Sequence, residues 1–242
     1  MNLYTKLAKV YHDMYKHLFD YTLEYNFYHT LFLENKANII TEFGCGSGNL
    51  AALFIHQNYQ YTGVDLNQEM LNIAVESLPS RYFFQDDMCS YKTNDLQDAL
   101  LISGRSISYL NTDVMVDSAF SSFNSILKKE GLLVFDAIDA ISLFEEFDTS
   151  IHELVVGKYK RISHSKSAST SEVWLWNWYA SYFMMDEDSN EYNHIGDDHA
   201  LVRAFTVEEL NKKLIKSGFD LISIHEKTTY TWKDHYFVAK KI

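Results

Sequence analysis

Apolar and polar positions follow two rhythms along this chain of 242 residues. Between residues 37 and 138, short apolar runs take turns with stretches of helical periodicity. The runs predict strands over 37–43, 60–64, 81–85, 97–103 and 132–138. The stretches between them predict helices over 49–57, 67–78 and 113–128. Asn67 suits the cap of the second helix, Pro79, the only proline, stops it, and Gly131 follows the third. Such alternation implies parallel strands joined by helical crossovers. Ahead of them, residues 1–36 read as a tyrosine-rich helical arm, with helices over 6–17 and 21–33.

After residue 138 the period changes to two, over 154–163, 172–184 and 200–205. In the middle stretch Trp174, Trp176, Trp178, Ala180, Tyr182 and Met184 share one face. Val173, Leu175, Asn177, Tyr179, Ser181 and Phe183 share the other. Period two is the signature of strands, so residues 139–204 are predicted to form an antiparallel β cap inserted after the fifth strand. Three tryptophans in a row need a cover, since soluble proteins rarely expose so large an apolar patch. The parent domain, a second subunit in a homodimer through the cap, or the lining of a ligand pocket would each supply one. The helical rhythm then returns. Thr206 with Glu209 forms a capping-box pattern, the helix closes at Lys216, Ser217 and Gly218, and strands are predicted over 219–226 and 235–240. The fold class is therefore α/β and Rossmann-like, with the parent domain in two pieces, 37–138 and 205–242, around the cap.

The chemistry concentrates where the first strand meets its helix, at Glu42-Phe43-Gly44-Cys45-Gly46-Ser47-Gly48-Asn49. Glycines at every second position let the backbone turn sharply and let a ligand approach its amides. Residues 46–51 also satisfy the dinucleotide pattern G-x-G-x-x-G/A. Charge decides against that reading. Glu42 ends the strand, Asp65 ends the next strand 21 residues after Gly44, and Asp86, Asp87 and Met88 follow the third. Carboxylates are poor company for a pyrophosphate and good company for a cation. S-adenosylmethionine carries a sulfonium and an ammonium and no phosphate. Asp65 could accept both ribose hydroxyls, while Asp86 or Asp87 and Met88 could meet the adenine.

These three motifs, with Gly63-Val64-Asp65-Leu66-Asn67-Gln68-Glu69-Met70-Leu71 as the second, resemble the class I S-adenosylmethionine-dependent methyltransferases in order and spacing. The resemblance covers roughly residues 37–137. The segments Leu7-Ala8-Lys9-Val10-Tyr11-His12-Asp13-Met14-Tyr15 and the region after 138 are similar, more specifically, to small-molecule N-methyltransferases of the amino-sugar and glycine types. The family's fold implies a seven-stranded sheet whose last strand runs antiparallel between the fifth and sixth. For the cofactor, with S-adenosylhomocysteine as product, it implies contacts from Glu42, Gly44, Cys45, Gly46, Gly48, Asp65, Leu66, Met70, Asp86, Asp87, Met88, Ser103 and Tyr15. The exit of the fourth strand, where the methyl would be transferred, carries Arg105, Ser106 and Tyr109. Arg105 departs from the family pattern and would pair either with an acidic substrate group or with a nearby aspartate.

An SN2 transfer to a small-molecule nucleophile, an amine foremost, is the expected reaction. A neutral amine would be helped by a base, and Tyr11, Tyr109, His199 and Asp136 are the candidates. Arg105, Ser106, Trp176 and Arg203 are the candidate substrate contacts. His194, Asp197, Asp198 and His199 match no metal signature, so no metal is expected. With 21 Lys and Arg against 33 Asp and Glu, the net charge is −12, which argues against nucleic acid and anionic membrane as partners. No apolar run reaches the ~20 residues of a membrane span. No signal peptide is seen, and Cys45 and Cys89 show no paired spacing, so a cytoplasmic enzyme is expected. A protein or RNA methyltransferase, a non-catalytic S-adenosylmethionine-binding protein and a nicotinamide oxidoreductase are the alternatives.

Overall fold

The computed structural model describes residues 1–170, 173–227, 229 and 232–242. In chain order the helices are α1 (Ala8–Tyr15), α2 (Tyr21–Glu34), α3 (Asn49–His56), α4 (Gln68–Ser77), α5 (Asp113–Ile126), α6 (Ala140–Glu145) and α7 (Val207–Lys216). The strands are β1 (Ile39–Phe43), β2 (Gln60–Asp65), β3 (Phe83–Gln85), β4 (Gln97–Ile102), β5 (Leu127–Ile138), β6 (His152–Val156), β7 (Tyr159–Ser167), β8 (Trp174–Met185), β9 (Tyr192–Ala204), β10 (Phe219–Lys227) and β11 (Asp234–Lys241).

Seven strands form one sheet in the order β10-β11-β5-β4-β1-β2-β3. The pairs β1–β2, β1–β4, β2–β3 and β4–β5 are parallel, whereas β11 runs antiparallel to both β5 and β10. The expected sheet, with its last strand antiparallel between the fifth and sixth, is therefore present. Central strands covered on both faces read as near-continuous apolar runs. In β4, Ala99, Leu100, Leu101 and Ile102 are all buried, with Leu101 packing toward one core and Leu100 toward the other. The strand order reverses beside β1, and the carboxyl ends of β1 and β4 open there as the crevice of a doubly wound sheet.

Several boundaries shift for local reasons. The helix predicted to reach residue 128 stops at Ile126, and β5 begins at Leu127 with an irregular turn in which Glu130 has φ of 63°. Asn67 precedes α4, but its side chain makes no capping bond; Asp65 takes its N–H instead. Only half of the expected capping box forms. Thr206 accepts from the Glu209 N–H, while the Glu209 carboxylate turns to Arg203.

The second sheet is antiparallel throughout, in the order β6-β7-β8-β9. The stretch predicted over 154–163 is two strands, because Gly157 at φ of 58° turns the chain. β9 is far longer than predicted, its polar first half having hidden the alternation. The expected start at Glu172 lies outside the described residues. The tryptophan face is covered by the chain itself. Trp176 is fully buried against Phe144 and Trp232, and Tyr182 packs with Leu3, Leu7, Met14 and Tyr15 of the arm. A second subunit is not needed to cover it, and Met184, at its far end, is exposed.

Candidate active site

The glycine loop links β1 to α3, and its three glycines all have left-handed φ, of 71°, 55° and 79° at Gly44, Gly46 and Gly48. The requirement is tightest at Gly44, where an added Cβ would lie 2.2 Å from the Ser106 Oγ. Two carboxylates shape the loop. Asp65 Oδ2 accepts the Gly46 N–H at 2.9 Å, and its Oδ1 accepts the Asn67 N–H at 2.8 Å. Burial raises the Asp65 carboxyl above its ordinary range, opposed by these N–H donors. Glu42 is almost fully buried and accepts from the Tyr61 hydroxyl and, at 2.7 Å, from the Ser103 hydroxyl. Burial pushes its carboxyl up to about 7 against the pull of those two donors.

Around this loop lies a cleft of about 190 Å³. Most of the expected cofactor residues line it: Glu42, Gly44, Cys45 and Gly46 from the first motif, Asp65, Leu66 and Met70 from the second, and Asp86, Asp87 and Met88 from the third. Ser103 joins them, as does Ser106, which was expected on the substrate. Gly48 does not line the cleft; it brings α3 close to Ala74 and Leu78. Tyr15 does not either, and faces a second cavity. Sequence reasoning missed Tyr21 and Glu24 of α2, Asn49, Leu110 and Met115. The i, i+3 spacing of Tyr21 and Glu24 marked them as neighbours on one helix face, but nothing local said which surface that face meets.

The second cavity, about 550 Å³, lies between the exit of β4 and the small sheet. Among the described residues, five line both spaces: Tyr4, Tyr11, Phe19, Gly104 and Tyr109. The hydroxyls of Tyr4 and Tyr109 are hydrogen-bonded at 2.7 Å, Tyr4 meets Tyr11 edge-on at 5.0 Å, and Tyr11 stacks on Tyr15 at 4.4 Å. Burial raises the phenols of Tyr4 and Tyr109 well above their ordinary value, so both stay protonated at neutral pH. Tyr4 was invisible to sequence reasoning because the arm before α1 carries no periodic signal.

Other expected site residues lie elsewhere. Asp136 lines neither space. It is fully buried in a chain of charges: its carboxylate accepts the Arg105 N–H at 3.0 Å and pairs with Lys227 at 2.7 Å, and Lys227 pairs with Glu24 at 2.7 Å. Arg105 does line the second cavity, and its Nε donates to Asp234 at 2.5 Å, so the nearby-aspartate alternative is realised. His199 is exposed on the outer face of β9, stacked on Tyr179 and bonded to the Asn177 amide oxygen at 2.8 Å. Arg203 is buried between Asp113 and Glu209, and Trp176 belongs to the core of the cap. His194 pairs with Asp197 at 2.9 Å, while Asp198 accepts the Asn2 and Leu3 N–H groups. Among the described residues no group of side chains has metal-ligand geometry.

Residues 40–131 match the family model of a methyltransferase domain. YqeM of Bacillus subtilis (strain 168), classed as a methyltransferase, is 30% identical over 193 residues, which span 78% of this chain and 76% of that protein. A solved S-adenosylmethionine-dependent methyltransferase from Clostridium acetobutylicum ATCC 824 aligns over 99% of both chains with a TM-score of 0.82 and 20% identity. CalS10 of Micromonospora echinaspora, an amino pentose methyltransferase solved with S-adenosylmethionine bound, aligns over 93% of this chain and 92% of its own, with a TM-score of 0.72 and 17% identity. Both structures share the fold of this chain.

Proposed function

The chain belongs to the methyltransferase family, and we propose that it transfers the methyl group of S-adenosylmethionine to an amine of a small molecule. One observation carries the reading: two neighbouring spaces, one around the glycine loop and one under the cap, share a wall made of Tyr4, Tyr11, Phe19, Gly104 and Tyr109. A cofactor in the first and an acceptor in the second would meet at that wall.

The residues present fit this cofactor. Glu24, Glu42, Asp65, Asp86 and Asp87 line the cleft, and no Lys, Arg or His stands with them among the described residues. That lining repels a dinucleotide's pyrophosphate and suits a cation. When bound, S-adenosylmethionine supplies an electrophilic methyl on its sulfonium. Asp65, with the Gly46 and Asn67 amides fixed on it, would hold the ribose end, and Met88, Leu110 and Met115 give the adenine end apolar surface. The rings of Tyr4, Tyr11 and Phe19 exclude water from the junction, which favours a reaction between aligned groups. The hydroxyls of Tyr4 and Tyr109 can orient a neutral amine by hydrogen bonding, and being protonated they do not act as bases. The amine proton is therefore released after the transfer, outward through the second cavity and away from the dry junction.

The amino pentose acceptor of CalS10 supports an amine, and a cavity of about 550 Å³ favours a small molecule over a protein or RNA chain. Free thiols at Cys45 and Cys89 suit a reducing cytoplasm. Among the described residues no helix is long and apolar enough to cross a membrane. The test is calorimetry with S-adenosylmethionine, followed by mass spectrometry for S-adenosylhomocysteine over a panel of small amines. Saturable cofactor binding with amine-dependent product is expected. Absence of cofactor binding by the folded chain refutes the reading, and product formed only with protein or RNA favours the macromolecular alternative.

A further inference from the structure

The cofactor cleft runs across the carboxyl ends of β4, β1, β2 and β3. Asp65 ends β2, and Asp86, Asp87 and Met88 follow β3, so the adenosine takes that side. The cofactor's amino-acid tail is left with the β1 and β4 side, at Glu42 and Ser103, where the first turn of α2 adds Tyr21 and Glu24. Glu24 is out of character there. It interrupts a helix face otherwise buried through Tyr25, Tyr28 and Phe32, and is itself only 7% exposed. Lys227 pairs with it at 2.7 Å, but pairs equally with Asp136, also at 2.7 Å. Asp136 alone would balance Lys227. The group therefore holds two carboxylates against one ammonium, and of the three only Glu24 lines the cleft. Arg105 does not remove the excess, because Asp234 pairs with it. The surplus charge reaches the next acid: burial is the chief cause that pushes the Glu42 carboxyl up to about 7, and Glu24 adds to it. A carboxylate has about four acceptor positions, so the bond to Lys227 does not exhaust Glu24. Surplus negative charge in a buried place is costly until a cation joins it.

We propose that Glu24, together with Glu42, receives the α-ammonium of the cofactor's amino-acid tail, and that Glu24 is the residue that makes the cleft select a ligand carrying that ammonium. This rests on reading the cleft as the S-adenosylmethionine site. Tyr21 and Asn49 supply neutral donors at the same end for the tail's carboxylate, and burial raises the Tyr21 phenol to about 12, so it keeps its proton. Lys227 stands outside the lining, where it holds Glu24 in place and opposes the rise that burial imposes on its carboxyl.

The experiment is calorimetry on the full chain with two probes, S-adenosylhomocysteine and its deamino analogue, in which a hydrogen replaces the ammonium and the carboxylate is kept. The wild type should prefer S-adenosylhomocysteine by ~10-fold or more, the scale of one charge-assisted hydrogen bond. Glu24→Gln, which keeps the shape of the side chain, should lose that preference: S-adenosylhomocysteine weakens ~10-fold or more, while the deamino analogue binds as before or more tightly. Glu24→Asp keeps the charge that faces Lys227, so its fold is at little risk, and should show a smaller loss confined to S-adenosylhomocysteine. It decides the matter if Glu24→Gln does not fold. If the variants keep the wild-type preference, or if both probes weaken alike, Glu24 is only a counter-ion of Lys227 and the assignment is wrong. Failure of the folded wild type to bind either probe would instead overturn the cofactor site itself, so the two failures are distinguishable.

Discussion

Replacing Gly44 by alanine should damage this protein far more than the same change at Gly46, although both glycines belong to one loop. Each has positive φ, 71° and 55°, and an L-residue held there loses ~1–2 kcal/mol. The surroundings separate them. At Gly46 the new methyl would approach the end of the flexible Met70 side chain at 3.3 Å, which can yield. At Gly44 it would lie 2.2 Å from the Oγ and 2.7 Å from the Cβ of Ser106. Rotating Ser106 breaks the bond its hydroxyl gives to the Ser103 carbonyl at 2.8 Å, a loss of ~1 kcal/mol. Rotation does not move the Ser106 Cβ, so the backbone must also shift, at an overpacking cost of ~1–3 kcal/mol. The totals are ~3–6 kcal/mol for Gly44→Ala and ~1–2 kcal/mol for Gly46→Ala. Urea unfolding of both variants gives the first readout. The second is a cycle with Ser106→Gly, which removes both clashing atoms and leaves the backbone strain. The double variant should recover about half of the Gly44→Ala loss. Equal losses at the two glycines, or no coupling with Ser106→Gly, would show that the loop does not press on the exit of β4.

Three further outcomes follow from the buried charges and the cap. Glu42 keeps its proton up to about 7 in the folded chain and releases it near 4.5 when unfolded, so between those values the folded state binds more protons and stability falls as pH rises. A cationic cofactor favours the ionised form, so calorimetric affinity for S-adenosylmethionine should rise from pH 6 to 8, and Glu42→Gln should flatten that dependence. Lys227→Met leaves Glu24 and Asp136 buried without their shared cation, and should destabilise by ~3–5 kcal/mol in denaturant unfolding, partly recovered by adding Asp136→Asn. Trp176→Ala should lose ~3–5 kcal/mol with unchanged mass in light scattering and unchanged cofactor affinity in the folded fraction; a change in mass would mean that the cap face meets a second subunit after all.

Where a residue's surroundings are set by its near neighbours in sequence, the chain declared them. The glycine loop, the acids at the ends of β1 and β2 and the alternation over 37–138 were legible because a parallel sheet imposes its burial pattern strand by strand. Parity could have disposed of His199 as well. Ala200, Val202 and Ala204 point inward along β9, so residue 199 must point outward. Its chemistry, a histidine beside two aspartates, drew more weight than its position in the pleat. Tyr15 shows the opposite case: it was expected on the cofactor, but it stacks on Tyr11, four residues away on the same helix, and faces the second cavity instead.

What stayed hidden lies in contacts between segments far apart in the chain. Asp136 sits at the end of a central strand, where a catalytic acid in this fold class could stand, and only Lys227, 91 residues later, turns it into a structural ion-pair partner. The arm is the larger instance. Its backbone is pinned to the cap by Asp198, which accepts the N–H groups of Asn2 and Leu3, and its first helix reaches the glycine loop through His12, whose Nδ1 lies 2.9 Å from the Ser47 hydroxyl. Those anchors, 196 and 35 residues apart in sequence, bring Tyr4 and Tyr11 to the wall shared by both spaces. No window of sequence contains that information, because the arm is amphipathic toward two partners at once and its own periodicity names neither. The cofactor cleft is therefore a property of the sheet, whereas the junction where the two spaces meet is a property of how arm, sheet and cap close on one another.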